Sequence, residues 1–238
     1  MKHTMLSLAL LALLSCSMLA QQPAPAAAPP AVHHASTHPQ PSAAEIWSGL
    51  MDGNKRFVSG KLKSYQSVSL RNSLAKAQHP HTVVLACSDS RVAPELIFDQ
   101  NLGDLFVVRS AGNIADAIGI GSIEYAVEHL GSSVLVVLGH TKCGAVTAAC
   151  SGEKMPTSNL QAIVDKIDPA VGAARKSGAK DSALIESAIK ENVHTSAKDV
   201  LAGSEVLRHF VEEGKLTVFE AEYQLDSGEV IRLDGAKQ

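Results

Sequence analysis

The sequence predicts an α/β domain with a mostly parallel central sheet, flanking helices and an antiparallel edge at its C-terminal end. Residues 82–86 and 134–138 are short apolar runs, rich in β-branched side chains and without polar alternation. Such runs are typical of strands that are covered on both faces in a parallel sheet. Predicted helices alternate with these strands, and residues 216–225 and 230–233 flank a turn at 226–228, which favours an antiparallel hairpin.

Residues 1–20 predict an export signal. Lys2 and His3 precede an apolar stretch, residues 5–14, that is too short to span a bilayer as a helix. Cys16 ends a Leu-Leu-Ser-Cys sequence that resembles a bacterial lipobox, in which the cysteine is lipidated. The alternative is ordinary signal cleavage near Ala20. Both interpretations predict an exported, periplasmic protein without a membrane span, and the first adds a lipid anchor at Cys16.

Residues 21–41 are rich in Pro, Ala, Gln and His and show no apolar period. A segment of this composition cannot bury enough apolar surface to offset its ordering entropy, so it predicts an extended linker. His33, His34 and His38 offer a weak metal-binding alternative to a plain solvated linker.

The remaining residues, 42–238, predict one globular domain. Ser42 followed by Glu45 is the pattern of a capping box and predicts the start of a helix that ends at Gly60. Further helices are expected at 68–77 and 122–130 and a strand at 105–108, and residues 140–214 are expected to be mostly helical with breaks at Pro156 and Pro169.

The charge of the chain argues against a nucleic-acid partner. The 238 residues carry a formal net charge of only -3, and no basic face or arginine-rich run stands out. The electrostatic pattern expected of a nucleic-acid binder is therefore missing.

Metal-ligating side chains follow two of the predicted strands. Cys87 follows the first strand, and His140 and Cys143 follow the strand at 134–138. The carboxyl ends of parallel strands share one edge of a sheet, where ligands usually bind. Two thiolates and one imidazole supply three of the four tetrahedral positions of zinc and leave one for water, which is typical of catalytic sites. The pattern predicts one Zn²⁺ per chain.

A disulfide between Cys87 and Cys143 is the alternative in an oxidising compartment. It would require neither His140 nor the neighbouring Asp89 and Arg91, whereas a metal site accounts for all of them. Cys150 is interpreted as a small buried apolar residue rather than a ligand.

Five blocks of sequence carry a resemblance to a known family. They are GNKRF at 53–57, CSDSR at 87–91, DLFVVR at 104–109, GSIEYAV at 121–127 and HTKCG at 140–144. In this order they resemble the β-class carbonic anhydrases, and the similarity covers nearly everything after the linker.

The resemblance implies that Cys87, His140 and Cys143 hold zinc and that the enzyme hydrates carbon dioxide reversibly to bicarbonate and a proton. Zinc-bound hydroxide would be the nucleophile, because zinc lowers the pKa of bound water. Asp89, held by Arg91, would orient this hydroxide as a catalytic dyad. In a closed, pH-dependent state Asp89 would instead be the fourth zinc ligand.

The resemblance also assigns substrate-binding roles and an assembly. Gln78 would donate to a substrate oxygen, Phe106 and Tyr125 would line an apolar pocket for carbon dioxide, and Gly144 would let the backbone approach the ion. The family implies a homodimer or a dimer of dimers. Two alternative functions stay open: hydrolysis of carbon disulfide or carbonyl sulfide on the same scaffold, and non-enzymatic zinc binding. Sequence does not choose a proton shuttle among the remaining histidines, although His79 and His81 lie nearest to Gln78.

Overall fold

The computed structural model describes residues 41–63 and 68–233. The predicted export signal, the Cys16 lipobox and nearly all of the linker lie outside these residues. In chain order the elements are α1 (Ala43–Val58), α2 (Val68–Leu74), β1 (Thr82–Cys87), α3 (Pro94–Ile97), β2 (Leu105–Ser110), α4 (Ala117–Glu124), β3 (Val134–His140), α5 (Gly144–Ser151), α6 (Ser158–Lys176), α7 (Asp181–Gly203), α8 (Glu205–Glu212), β4 (Thr217–Tyr223) and β5 (Val230–Arg232).

The five strands form one sheet in the order β2-β1-β3-β4-β5. The pairs β1–β2, β1–β3 and β3–β4 are parallel, and β5 pairs antiparallel with β4. This arrangement confirms the predicted α/β class with its antiparallel C-terminal edge. The chain leaves β1 toward β2 on one side and then crosses to β3 on the other, so the carboxyl ends of β1 and β3 flank a switch in strand order.

The two central strands are fully buried because both faces of the sheet are covered. Every residue of β1 and β3 is buried. Val84 and Ala86 pack on the face that α1 covers, whereas Val83 and Leu85 pack on the opposite face, which α7 covers. This burial explains why both strands are continuous apolar runs rather than alternating ones.

Helix α1 begins where the sequence indicates. The Ser42 hydroxyl accepts a hydrogen bond from the Glu45 N–H at 3.3 Å, and the Glu45 carboxylate accepts one from the Ser42 N–H at 2.8 Å. This is a complete capping box. Further along α1, the buried Asn54 donates to the Gly228 carbonyl and accepts from the Val230 N–H, which fixes the β4–β5 hairpin against the helix.

Two sequence predictions about the helices are corrected. Pro156 precedes α6, but Pro169 lies inside it rather than breaking it. Proline removes one helical hydrogen bond, but the neighbouring side chains of Ile167 and Val171 are buried, and this packing keeps the segment helical. The helix expected at 122–130 instead begins at Ala117, after an Asp116 N-cap, and continues into one wider π-helical turn, Tyr125–His129.

No helix among residues 41–63 and 68–233 is both long enough and apolar enough to cross a bilayer.

Candidate metal centre

The carboxyl ends of β1 and β3 bring three metal-ligating side chains together. Cys87 is the last residue of β1, His140 is the last residue of β3, and Cys143 is the N-cap of α5. One possible ligand atom from each residue lies within 4.8 Å of the other two, and all three residues are buried. The Cys-His-Cys group is therefore positioned to bind a metal ion.

The imidazole of His140 presents its Nε2 nitrogen to this cluster. Its Nδ1 lies 2.9 Å from the Thr141 carbonyl oxygen, which can only accept, so Nδ1 carries the proton. Its Nε2 is completely buried, and the described part of the chain gives it no hydrogen-bond partner. An unpartnered buried nitrogen is costly, and a cation held between His140 and the two sulfurs would satisfy it.

The two thiols also fit a cation. The hydrogen bond from the Cys143 thiol lowers the pKa of Cys87 to about 4, in opposition to burial, which raises it. The same hydrogen bond to the Cys87 thiolate, together with burial, raises the pKa of Cys143. A divalent cation bound between them would hold both sulfurs as thiolates.

Asp89 and Arg91 form a forked ion pair at the rim of the cluster. Arg91 donates from Nε to Asp89 Oδ1 at 2.9 Å and from Nη2 to Oδ2 at 2.7 Å, and its backbone N–H donates to Oδ1 at 3.0 Å. These bonds hold the pKa of Asp89 well below its usual range. Asp89 Oδ2 lies 4.0 Å from His140 Nε2, so an ionised carboxylate faces the Cys-His-Cys cluster.

Arg109 holds the same turn from β2. It donates from Nε to the Cys87 carbonyl oxygen at 3.0 Å and from Nη2 to the Asp89 carbonyl oxygen at 2.7 Å. The guanidinium group thereby connects the backbone of the metal cysteine to the backbone of the dyad carboxylate. This bracing keeps Asp89 at a fixed distance from the ligand cluster.

Comparison with known proteins identifies the family. The carbonic anhydrase family matches residues 82–230. Carbonic anhydrase 2 of Mycobacterium tuberculosis is 38% identical over 200 residues, which cover 82% of this chain and 95% of the relative. This chain belongs to the β-carbonic anhydrase family.

Solved β-carbonic anhydrases share the fold. CafA of Aspergillus fumigatus is 27% identical and superimposes with a TM-score of 0.66 over 81% of this chain and 93% of that one. A structure from Sordaria macrospora, described as one of two tetrameric β-carbonic anhydrases, is 25% identical, with a TM-score of 0.65 over 79% and 97% of the two chains.

The structure does not bring the predicted pocket residues of this family to the metal cluster of the same chain. Phe106 and Tyr125 are neighbours, with ring centroids 6.4 Å apart, and Tyr125 is 48% exposed. Phe106 pairs with Val83 in the sheet. Val83 precedes Cys87 by four residues of β1, so Phe106 lies about 13 Å from the level of Cys87 along the strand direction. Gln78 is exposed in the loop that precedes β1, so it lies beyond the amino end of that strand, whereas Cys87 is at its carboxyl end.

Gly144 is the first residue of α5, but the protein itself does not require glycine there. A Cβ added at this position would meet no atom within 4 Å. The space that this Cβ would enter lies next to Cys143, so the backbone leaves room there for a bound group. Steric contacts within the chain give no reason for glycine at this position.

Sequence reasoning missed four residues that surround the ligands: Arg109, Gly112, Thr141 and Asn192. Arg109 and Thr141 lie inside the blocks that carried the resemblance, so their positions were visible although their contacts were not. Gly112 and Asn192 have no local signal in the sequence. Their contact with each other joins residues 80 positions apart.

Proposed function

We propose that this chain is a zinc-dependent carbonic anhydrase that interconverts carbon dioxide and bicarbonate. The observation that carries the proposal is the buried cluster of Cys87, His140 and Cys143, with ligand atoms within 4.8 Å of one another, in a chain of the β-carbonic anhydrase family. Two sulfurs and one imidazole nitrogen suit zinc, which prefers tetrahedral nitrogen and sulfur ligands.

Three side chains of this site would bind the metal, and a fourth would orient the attacking oxygen. Cys87 and Cys143 would hold zinc through their sulfurs, and His140 would hold it through Nε2. Zinc held there would supply a nucleophile near neutral pH, because zinc lowers the pKa of water bound to it. Asp89, held by Arg91, would accept a hydrogen bond from the attacking oxygen and so orient it.

The activity is tested by stopped-flow hydration of carbon dioxide on the purified mature protein, with zinc counted by mass spectrometry. We expect activity with one zinc ion per chain. Cys143→Ser should remove the zinc and abolish the activity, whereas Cys150→Ser, a substitution of a cysteine outside the ligand cluster, should retain both. Full zinc loading without hydration at any pH would overturn the proposal, and carbon disulfide and carbonyl sulfide would then be the substrates to try.

A second copy of the chain would complete the site. Gln78, Phe106 and Tyr125 lie near the amino end of β1, whereas the metal ligands lie at its carboxyl end. If these three residues contact substrate, they must reach a cluster in another chain. The half-exposed Tyr125 and the partly buried edge strand β2 offer a surface for such a contact. This is consistent with a homodimer or a dimer of dimers.

Co-expression of two inactive chains tests this arrangement. One chain carries Cys143→Ser, and the other carries Gln78→Ala and Tyr125→Ala. A site built from two chains leaves one intact site in each heterodimer, so random pairing recovers roughly a quarter of the wild-type activity. A site built from one chain recovers none. Light scattering of each variant controls for loss of assembly.

We also propose that the protein is exported and acts in the periplasm of a bacterial cell. The support is the apolar segment at 5–14 and the polar, proline-rich linker that follows it. Cell fractionation should place the protein in the periplasm or on its membranes. Replacing Cys16 with serine should release a membrane-bound form if this cysteine is lipidated and should change nothing if the signal is cleaved near Ala20.

A further inference from the structure

Two buried hydrogen bonds connect α7 to the sulfur of Cys87. Asn192 donates from Nδ2 to the Gly112 carbonyl oxygen at 2.7 Å. The Gly112 N–H donates to Cys87 Sγ at 3.3 Å. Asn192 is 1% exposed, and Gly112 is buried in the short turn, Ala111–Asn113, that follows β2.

The backbone conformation at Gly112 is one that favours glycine, and a hydrogen bond from outside the turn holds it. Its φ is +71°, and a Cβ there would lie 2.7 Å from Ile167 Cδ1, so a larger residue is excluded. Glycine has little conformational preference of its own. The hydrogen bond from Asn192 fixes the carbonyl on one side of the Gly112 Cα, and the N–H on the other side then points at the sulfur.

A donor that points at a thiolate withdraws negative charge from it. Two thiolates cancel the formal charge of a divalent cation and weaken it as a Lewis acid. An N–H···S bond to one of them restores part of the positive charge, in the same way that hydrogen bonds to sulfur tune other metal–thiolate sites.

We propose that Asn192 is a positioning residue for the metal centre, which holds Gly112 so that its N–H donates to the Cys87 thiolate. This inference rests on metal binding by Cys87, His140 and Cys143. A purely structural role explains the contact less well, because most buried positions of α7, such as Ile189 and Val193, are apolar, with Ser196 as the other polar one. An apolar side chain at position 192 would fill the core without the desolvation cost of an amide.

The test uses the cobalt-substituted protein, in which charge transfer from sulfur to the metal gives an absorption band. Asn192→Leu should shift this band to longer wavelength, since a thiolate that loses the Gly112 donor gives up electrons more readily. The control is Val200→Ala, which truncates a fully buried side chain two turns further along α7. It should lower the melting temperature without moving the band.

The position of the band decides between the outcomes. A shift in Asn192→Leu but not in Val200→Ala supports the inference. No shift, or equal shifts in both variants, overturns it and leaves Asn192 as a packing residue. If Asn192→Leu does not fold, the smaller Asn192→Ser is compared with Val200→Ala on the same criterion. Failure of the wild-type protein to bind cobalt or zinc would instead overturn the proposed function.

Discussion

His140 donates its Nδ1 proton to the carbonyl oxygen of Thr141, 2.9 Å away, and so turns its Nε2 toward Cys87 and Cys143. The acceptor is itself fixed by the β4–β5 hairpin. The Thr141 N–H donates to the Tyr223 carbonyl oxygen at 3.0 Å, and the Thr141 hydroxyl accepts from the Leu225 N–H at 3.0 Å. The antiparallel edge of the sheet thus determines how the metal histidine is held.

Thr141→Val should therefore weaken zinc binding. Valine has the shape of threonine but cannot accept the Leu225 N–H, so the carbonyl that orients His140 loses one of its two restraints. We expect the zinc dissociation constant, measured by chelator competition, to rise by about 10-fold. Thr217→Val, the same change at the start of β4 and away from the cluster, should leave it unchanged. Equal affinities in the two variants would contradict the role given to Thr141.

Asp89→Asn should impair catalysis without removing the metal. The amide keeps the size of the carboxylate but carries no charge and has one acceptor oxygen instead of two, so it can neither retain the forked pair with Arg91 nor orient the attacking oxygen. Hydration of carbon dioxide should fall by about 100-fold or more while zinc content stays at the wild-type level.

The matched control is Asp226→Asn, because Asp226 is also paired with a cation, Lys142 at 2.8 Å, but is exposed. Exposed ion pairs contribute little, so this variant should retain its activity. Comparable losses in the two variants would show that Asp89 braces the turn and does not act on substrate.

The sequence alone predicted the central strands and the metal-binding cluster because each depends on local pattern. The runs that became β1 and β3 are continuously apolar, and parallel strands place the residues that follow them at one edge. The same rule of strand direction would have separated Phe106 from the cluster. It is the second residue of β2, whereas the ligands lie at the carboxyl ends of β1 and β3 or just after them.

The residues that support the cluster could not be predicted, because their contacts join distant parts of the chain. Asn192 lies within a 23-residue helix, and nothing near it in the sequence indicates that it reaches Gly112. For Pro169 the local signal was present but misleading. Proline predicts a break in the helix, whereas the packing of α6 keeps this segment helical.

Gly139→Ala should destabilise the fold next to the metal histidine. Gly139 lies opposite Glu222 in the sheet, and a Cβ there would lie 2.5 Å from Val193 Cγ2, so α7 would have to move away from β3. Overpacking of this kind costs about 1–3 kcal/mol of unfolding free energy. The control is Gly172→Ala in α6, where a Cβ meets nothing within 4 Å and alanine should be neutral or stabilising.

Val193→Ala should restore part of the lost stability in the Gly139→Ala background, although it costs stability on its own. Chemical denaturation of the four proteins in this cycle should give a coupling free energy of about 1 kcal/mol or more. Additive effects would mean that Val193 is not the side chain that excludes alanine from position 139.

His81 should make the stability of the protein fall in mild acid. Burial lowers the pKa of His81, and the nearby Asp104 carboxylate and Gln100 offset this only in part. The folded protein therefore prefers neutral His81. The stability that this preference provides is fully present above the unfolded pKa of about 6.5 and is lost as the pH falls through the lower folded value. His81→Gln cannot take up this proton, and glutamine can still contact the Thr82 hydroxyl, which lies 2.7 Å from Nδ1.

The melting temperature of His81→Gln, relative to wild type, should accordingly rise as the pH is lowered from about 7.5 to about 5. His209→Gln is the control, because it makes the same change at an exposed histidine of α8, which lies 3.2 Å from the Glu213 carboxylate. That variant should show no relative gain in acid. A constant difference between His81→Gln and wild type across this range would mean that His81 does not contribute to the acid sensitivity of the fold.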